Sequence, residues 1–320
     1  SRGWVTMLGG LEMEPAPRPF LKWAGGKRQL IDTIDSHLPP GVKDGTITRF
    51  VEPFVGGGAV FFHVRQRYPL EEFHISDFNP DLANAYVVIR DELDALLGHL
   101  KLLADEYLPL EHEQRGGVFY RVRDEYNSGR GCLESDEMGE GRVLRAAQTI
   151  FLNRTCFNGL YRVNSKGEYN VPHGRYKNPP IRDSDNLASV SEALQGVSVS
   201  CGSYEVCEQV VDESSFVYLD PPYRPLPNTP SFTDYAQKSS FGDGDQRTLA
   251  SFYRRMHQLG ASLMLSNSDP KNTDPEDEFF DELYSEYNIN RVSARRAINS
   301  DGGGRGEVSE ILVTNYEAVQ

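Results

Sequence analysis

The tetrapeptide DPPY at residues 220–223 brings a carboxylate, two prolines and a phenol ring together. It follows residues 216–219, an apolar stretch rich in aromatic and β-branched side chains that predicts a buried strand. Because proline donates no ladder hydrogen bond, the strand must end here with a rigid backbone. Ligands of open α/β sheets bind at this carboxyl edge. The tetrapeptide therefore predicts a functional site, whereas an isolated Asp-Pro would indicate only a turn.

Two glycine-rich stretches, AGGKRQL and PFVGGGAV, match neither phosphate-binding pattern. The P-loop pattern would need glycine at Leu21 and Ser or Thr at Arg28, and the dinucleotide fingerprint would need glycine at Phe61. Two interpretations remain for PFVGGGAV: a tight turn for sheet–helix packing, or a turn that lets a ligand approach the backbone closely.

Asp77 ends the next predicted strand, about twenty residues beyond the glycine turn. At this position an acidic side chain can accept hydrogen bonds from ribose hydroxyls. A nucleoside bound without a pyrophosphate suggests S-adenosylmethionine. Asp220, on the same sheet edge, would suit the positively charged methionine end of that cofactor. The alternative is that Asp77 only caps the helix that begins near Pro80.

The elements that must position these residues alternate between strand and helix, which predicts a Rossmann-like α/β fold with a parallel, doubly wound sheet. The alternation stops between about residues 108 and 183. There, helical patterns at 118–126 and 144–152 lead into a segment rich in Asn, Gly, Arg and Tyr, which predicts a hairpin and exposed loops. The alternation then resumes, with strands predicted at 197–201, 216–219, 262–266, 289–294 and 310–316 and a helix at 246–259.

This pattern predicts three parts of the chain. A disordered leader covers residues 1–18. The cofactor-binding core covers residues 19–107 and 184–320. A mostly helical insert bearing a β-hairpin covers residues 108–183.

The charge is distributed unevenly over the 320 residues. The net charge of −14 argues against a polyanionic partner. Between residues 145 and 182, however, Glu168 is outnumbered by seven basic residues, namely Arg145, Arg154, Arg162, Lys166, Arg175, Lys177 and Arg182. This cluster predicts a nucleic-acid contact on one face, although solvated surface is the simpler alternative.

Features that the sequence lacks indicate the cellular compartment of the protein and whether it binds a structural metal ion. The four cysteines form no CxxC pair and no Cys/His cluster, so we expect neither a disulfide framework nor a zinc site. No apolar stretch is long enough to span a bilayer, and the N-terminus has no signal-peptide pattern. We therefore expect a cytoplasmic protein without a membrane partner.

Five motifs carry a resemblance to a known family: FLKWAGGK, EPFVGGGAVFF, FNGLYRVNSKGEYNVPHGRYKNP, LDPPY and SDGGGRGEVSEILVTNY, in this order. From Phe20 onward the chain resembles the Dam family of adenine-specific DNA methyltransferases, including those of restriction–modification systems. The resemblance implies methyl transfer from S-adenosylmethionine to the N6 amino group of a flipped-out adenine in duplex DNA, within GATC.

This chemistry explains the tetrapeptide. The exocyclic amino group of adenine is a poor nucleophile, because its lone pair is delocalised into the ring. The Asp220 carboxylate and the Pro221 carbonyl can accept hydrogen bonds from this amino group. The rigid Pro221–Pro222 backbone keeps the carbonyl pointed at it. Tyr223 offers a stacking face for a base that has left the duplex.

The resemblance also implies roles for matching positions. Cofactor contacts are Trp23, Lys27, Phe54, Gly56, Gly57, Asp77, Tyr204 and Asp220. Lys22 and Arg162 each recognise a guanine, the latter through a bidentate major-groove contact. Leu160 and Pro172 contact thymine methyl groups, and Phe157 and Asn158 enter the opened base stack. DNA-backbone contacts are Asn164, Asn170 and Arg175.

Two alternatives remain at this point: an RNA or protein N-methyltransferase on the same core, and a sequence-specific DNA-binding module without catalysis. The favoured interpretation implies a prokaryotic or phage-encoded protein, monomeric in solution, with double-stranded DNA as its partner. A cognate restriction endonuclease is a possible second partner.

Overall fold

The computed structural model describes residues 16–134, 138–224, 241–294 and 308–318. The predicted leader lies outside the described residues except for its last three positions. Residues 300–307 of the fifth motif also lie outside them.

A seven-stranded sheet organises the described residues. Its strands are β1 (Arg49–Glu52), β2 (Glu72–Asp77), β3 (Ser198–Cys201), β4 (Ser215–Leu219), β5 (Ser262–Ser268), β6 (Asn288–Ala294) and β7 (Val308–Thr314). Their order is β3-β2-β1-β4-β5-β7-β6. Strands β1 to β5 run parallel, whereas β7 is antiparallel to both of its neighbours. The predicted Rossmann-like α/β class is confirmed.

Helices cover both faces of this sheet. They are α1 (Ile31–Ser36), α2 (Pro40–Asp44), α3 (Ala59–Arg67), α4 (Pro80–Asp91), α5 (Leu93–Tyr107), α6 (His112–Ser128), α7 (Glu140–Thr155), α8 (Ser184–Ala193), α9 (Asp243–Gln258) and α10 (Phe279–Leu283). Helices α6 and α7 are longer than the predicted 118–126 and 144–152, because the apolar pattern marks only their buried turns and their polar ends continue the helix.

Successive strand residues point into two different core layers. Phe50 and Phe216 pack against the layer formed with α1 to α8, whereas Val51 and Val217 pack against the layer formed with α9 and α10. All five residues of β4 are buried, as expected for a parallel strand covered on both faces. Aromatic side chains of α5, α6 and α7 belong to the first layer, so these helices share the core of the sheet.

A buried ion pair joins the sheet-side helix α4 to α7. Arg145 Nε lies 2.5 Å from Asp81 Oδ1, and the Arg145 side chain is 3% exposed. The same guanidinium donates to the Tyr126 carbonyl at 2.6 Å. Arg145 is therefore not part of the predicted basic surface, because a cation at this depth requires a buried partner.

The hairpin of the insert consists of two isolated antiparallel bridges, Val163 with Tyr169 and Cys156 with His173. Regular strands do not form here. The Asn164 side chain instead accepts hydrogen bonds from the Lys166 and Glu168 N–H groups at 2.9 and 3.0 Å, which stabilises a tight turn.

Candidate functional site

The carboxyl ends of three adjacent strands converge where the strand order changes direction. Strand β1 has β2 on one side and β4 on the other, so the order reverses between β1 and β4. Acidic residues stand at or just after these strand ends: Glu52 on β1, Asp77 on β2 and Asp220 after β4. This is the position at which open α/β sheets bind ligands.

Asp220 accepts two hydrogen bonds on one carboxylate oxygen. Its Oδ1 lies 2.9 Å from Lys27 Nζ and accepts from Ser266 Oγ at 3.0 Å, and its side chain is 17% exposed. Within the described residues, Oδ2 has no hydrogen-bond partner and can accept from a substrate. Burial raises the pKa of Asp220, while the Lys27 cation and the Ser266 hydroxyl oppose that rise.

Lys27 connects Asp220 to the phenol of the tetrapeptide. Its Nζ donates to the Tyr223 hydroxyl at 2.6 Å and to the Gly25 carbonyl at 3.0 Å. The Tyr223 hydroxyl in turn donates to Glu310 Oε2 at 2.8 Å. Sequence reasoning did not single out Glu310. Its only signal was a charge at the start of the buried run Ile311, Leu312, Val313 within the fifth motif.

Two buried polar side chains, on α9 and β5, hold the backbone of the tetrapeptide in place. Gln246, buried on α9, donates from Nε2 to the Pro222 carbonyl at 3.1 Å. Asn267 on β5 donates to the Gln246 side-chain oxygen at 3.4 Å. Together with the two prolines, these contacts fix the chain that carries Asp220 and Tyr223. No local sequence signal marked Gln246 or Asn267.

Asp77 holds the glycine turn. The Gly56 N–H donates to Asp77 Oδ2 at 3.0 Å, and the Asn79 N–H donates to Oδ1 at 3.0 Å. Burial raises the pKa of Asp77, and these backbone donors oppose the rise. The cap of α4 is Asn79, whose side chain accepts from Asp81 and Leu82. The helix-cap interpretation of Asp77 is therefore wrong.

Aromatic rings surround this turn. A β-carbon added at Gly56 would lie 3.0 Å from Trp23 Cδ1, and one added at Gly57 would lie 3.5 Å from Trp23 Cβ. The Phe54 ring lies 5.3 Å from the Tyr204 ring. The predicted cofactor contacts thus gather around one sheet edge. Open backbone, flat apolar faces and carboxylates fit a nucleoside with a cationic tail, the chemistry of S-adenosylmethionine.

Glu52 is a second acidic residue that sequence reasoning missed, although it begins the motif EPFVGGG. It is 2% exposed, and its Oε2 has no hydrogen-bond partner in the described part of the chain. The backbone of Phe61, in the first turn of α3, contacts the carboxyl group. Burial and the nearby Asp220 carboxylate raise the pKa of Glu52 well above its usual value.

Phe157 and Asn158, predicted to enter the base stack, lie on one exposed turn after α7 together with Leu160, predicted to contact a thymine methyl group. Phe157 is 51% and Leu160 41% exposed. Asn158 has a φ of 55°, the left-handed region that non-glycine residues seldom adopt. The Phe157 N–H donates to the carbonyl of Pro172 at 2.9 Å, which brings Pro172 beside this turn.

Arg162 and Asn170 form a pair across the hairpin. Arg162 Nε donates to Asn170 Oδ1 at 2.8 Å, and a terminal nitrogen donates to the Asn170 carbonyl at 3.3 Å. The Asn164 side chain bonds within the turn, whereas Arg175 is exposed. The roles of these residues toward DNA stay predictions.

Lys22 is tied to the same region by Asn153 on α7. Asn153 Oδ1 accepts from the Lys22 N–H at 2.9 Å, and its Nδ2 donates to the carbonyls of Lys22 and Gly159 at 2.9 and 3.1 Å. The Lys22 ammonium lies 4.6 Å from the centre of the Tyr176 ring. The structure therefore places Lys22 beside the turn that carries Phe157 and Leu160.

In the described ranges, no group of three His, Cys, Asp or Glu side chains could hold a metal ion. None of the helices described is long and apolar enough to cross a membrane.

Comparisons with known proteins agree with this geometry. The family model of the D12 class N6 adenine-specific DNA methyltransferases matches residues 23–298. The chain is 49% identical to Type II methyltransferase M.MjaIII of Methanocaldococcus jannaschii, over 93% of this chain and 99% of that protein. It is 37% identical to Type II methyltransferase M1.LlaDCHI of Lactococcus lactis subsp. cremoris, over 93% and 95%.

The chain is also 34% identical to the DNA adenine methylase of Escherichia coli strain K12, over 92% of this chain and 94% of that protein. The family favours DNA adenine methylation over the RNA- and protein-directed alternatives. The carboxylate, paired prolines and tyrosine of residues 220–223 lie at the switch point of the sheet, and the chain belongs to the D12 class of N6 adenine-specific DNA methyltransferases.

Proposed function

We propose that the protein transfers the methyl group of S-adenosylmethionine to the N6 amino group of a flipped-out adenine in duplex DNA, within GATC. The observation that carries the proposal is the carboxylate of Asp220, which has one oxygen fixed by Lys27 and Ser266 and the other available. Tyr223 follows it on a backbone held by Gln246.

The cofactor site is assigned to the edge between β2, β1 and β4. Asp77 accepts hydrogen bonds from the ribose hydroxyls beside the glycine turn at Gly56 and Gly57. Trp23, Phe54 and Tyr204 supply apolar faces, and Asp220 and Lys27 face the charged methionine end. When bound, S-adenosylmethionine supplies an electrophilic methyl group on its sulfonium sulfur.

The residues of the chain prepare the adenine amino group for attack. Asp220 Oδ2 and the Pro221 carbonyl accept hydrogen bonds from its two N–H groups, which localises the nitrogen lone pair and aims it. The nitrogen gains the methyl group and loses one of these two protons. The base stacks on Tyr223 after it leaves the duplex. Because Lys27, Ser266 and Gln246 hold these groups in advance, little reorganisation remains at the moment of reaction.

Residues 108–183, together with Lys22 of the core, are assigned to target recognition. Arg162 and Lys22 recognise guanines, Leu160 and Pro172 contact thymine methyl groups, and Phe157 and Asn158 fill the opened stack. Asn164, Asn170 and Arg175 position the DNA backbone. Contacts confined to this face reconcile an acidic chain with a polyanionic substrate.

The test uses labelled S-adenosylmethionine with GATC duplexes, every single-base variant of the site, tRNA and a protein mixture. We expect label only in DNA, recovered as N6-methyladenine, with the GATC duplex fastest. Label in RNA or protein, or on another base, would contradict the proposal. Equal rates over the panel would contradict only the GATC assignment.

The biological setting is proposed from the named Type II relatives. The protein is assigned to the cytoplasm of a prokaryote or to a phage, acts as a monomer and protects GATC sites from a cognate endonuclease. Genomic DNA from cells expressing the chain should resist an endonuclease that cuts unmethylated GATC. Complete digestion would count against protection.

A further inference from the structure

Glu310 reaches the active site because β7 is the reversed strand of the sheet. Strand β7 runs antiparallel between β5 and β6, with Glu310 opposite Ser268 and Val292. The first residues of β7 therefore lie at the edge where the parallel strands end. A carboxylate from the C-terminal region of the chain enters the site beside Asp220 in this way.

The contacts of Glu310 converge on two groups already assigned to the site. Its Oε2 accepts from the Tyr223 hydroxyl at 2.8 Å and lies 3.8 Å from Lys27 Nζ. Lys27 Nζ lies 2.9 Å from Asp220, so the two carboxylates share one ammonium. Lys27 is 3% exposed and Glu310 17%, which distinguishes this cluster from an exposed ion pair of little energetic consequence.

Tyr223 needs such a partner. It follows two prolines and lies outside the strands and helices, so no ladder or packed helix fixes its ring. Hydrogen bonds from Lys27 and to Glu310 hold the hydroxyl from two directions. Charge-assisted hydrogen bonds of this kind are stronger than neutral ones and restrict geometry.

We propose that Glu310 is a positioning residue of the active site, which orients the Tyr223 ring toward the target base and holds the Lys27 ammonium between two carboxylates. The inference rests on the proposed function, in which Tyr223 stacks on the flipped adenine. Burial raises the pKa of Glu310, which Lys27 opposes. Glu310 itself touches neither cofactor nor base in this proposal.

The test is a double-mutant cycle on single-turnover methylation of a GATC duplex, with enzyme and cofactor saturating. Glu310→Ala is expected to lower the rate by about ten- to a hundredfold, the equivalent of a hydrogen bond to a charged group. Glu310→Gln should stay close to the wild-type rate, because its amide oxygen can accept from Tyr223. In a Tyr223→Phe background, Glu310→Ala should cause a much smaller further loss, because only its contact with Lys27 remains to be removed.

Three controls separate positioning from folding. DNA and cofactor dissociation constants and the melting temperature should remain near wild type in the Glu310 variants, as should all readouts of Glu286→Ala on the surface. If Glu310→Ala does not fold, Glu310→Asp replaces it in the cycle, since the shortened side chain withdraws from the Tyr223 hydroxyl.

Three outcomes would overturn the inference: a wild-type rate for Glu310→Ala, a loss equally large in the Tyr223→Phe background, or a Gln variant as slow as the Ala variant. These outcomes are distinguishable from failure of the proposed function. If the wild-type protein does not methylate adenine in duplex DNA, the proposed function fails. If the wild type does so and the variants are additive, only the role of Glu310 fails.

Discussion

At the residue scale, the two oxygens of one carboxylate have different surroundings. Lys27 and Ser266 both contact Asp220 Oδ1, whereas Oδ2 is the oxygen that we propose accepts from the substrate. Replacing Asp220 by Ala should lower the single-turnover methylation rate by at least about a hundredfold, the usual scale for a preorganised polar group. DNA affinity should change little, because the residue does not contact the DNA backbone.

The measurement is rapid-quench methylation of a GATC duplex, with Asp91→Ala as an exposed control. Because burial raises the pKa of Asp220 above 3.8, the wild-type rate should begin to fall on the acid side at a higher pH than a free aspartate would titrate. A near-wild-type rate for Asp220→Ala would remove the carboxylate from the mechanism.

Glu52 predicts a pH-dependent stability. Unfolded protein releases this proton near the ordinary pKa of 4.5, whereas the folded protein retains it to a much higher pH. Rising pH between these two values therefore favours unfolding. Glu52→Gln carries no such proton, and its amide oxygen can still accept from Phe61. The variant should therefore be more stable than wild type at mildly alkaline pH, by an amount that grows with pH above 4.5 by at most about 1.4 kcal/mol per pH unit.

Urea unfolding monitored across the pH range would test this. The advantage of Glu52→Gln should shrink as the pH falls toward 4.5, the ordinary value for a glutamate. Glu71→Gln, at an exposed site, should match the wild type throughout. A constant difference at every pH would show that Glu52 acts through packing and not through its proton.

At the element scale, the last turn of α7 organises the predicted DNA-reading surface. Asn153 ties the Lys22 backbone to the carbonyl of Gly159, next to Leu160. Gly159 cannot carry a side chain there, since its φ is +63° and a β-carbon would lie 2.4 Å from Lys22 Cδ. Two distant segments therefore present their predicted base contacts as one unit.

Asn153→Ala should weaken sequence discrimination more than catalysis. It leaves two carbonyls and one N–H without partners, and each unsatisfied group costs about 1–3 kcal/mol, so the GATC preference should fall by about ten- to a hundredfold. The measurement is the rate ratio between GATC and single-base variants. Asn290→Ala, which removes a comparable amide-to-carbonyl bond on β6, is the matched control.

Arg162→Ala offers a second comparison on the same set of duplexes, GATC and its single-base variants. A bidentate guanine contact would be lost at one base pair, at a cost of about 1–3 kcal/mol in selectivity. Asn153→Ala should instead relax the positions that Lys22 and the turn after α7 recognise. Identical ratios for the wild type and Asn153→Ala would mean that Asn153 does not support recognition.

At the scale of the whole molecule, one continuous core joins the insert to the sheet. The Asp81–Arg145 pair lies inside it, and Asp81 Oδ2 also accepts from Tyr161 in the hairpin segment at 2.9 Å. Arg145→Met leaves a carboxylate buried without its cation, so it should destabilise the protein by about 3–5 kcal/mol. Unfolding should remain one transition, because the core is shared.

Denaturant unfolding followed by fluorescence and circular dichroism measures both the loss of stability and the number of unfolding transitions. Arg121→Met, which breaks exposed pairs with Glu106 on α5 and Glu125 on α6, should cost no more than about 1 kcal/mol. Separate transitions for the two probes would show that residues 108–183 unfold as an independent domain. Wild-type stability in Arg145→Met would mean that the buried pair contributes no net free energy.

The sequence by itself determined the features that depend on neighbouring residues. Buried strands followed by Asp77, Asp220 and the glycine turn are local patterns, and parallel connectivity brings their carboxyl ends to one edge. The alternation of strand and helix therefore predicted both the sheet and the place of the cofactor site. The ordered motifs predicted the family, which the comparisons confirmed.

Only the tertiary structure decided which distant groups meet. The reversal of β7 brings Glu310 to Tyr223, and the packing of α7 on α4 turns Arg145 from a surface cation into a buried partner of Asp81. Asn153 joins Lys22 to Gly159 across more than a hundred residues of chain. Such contacts depend on strand order and on side chains far apart in sequence, so no local pattern encodes them.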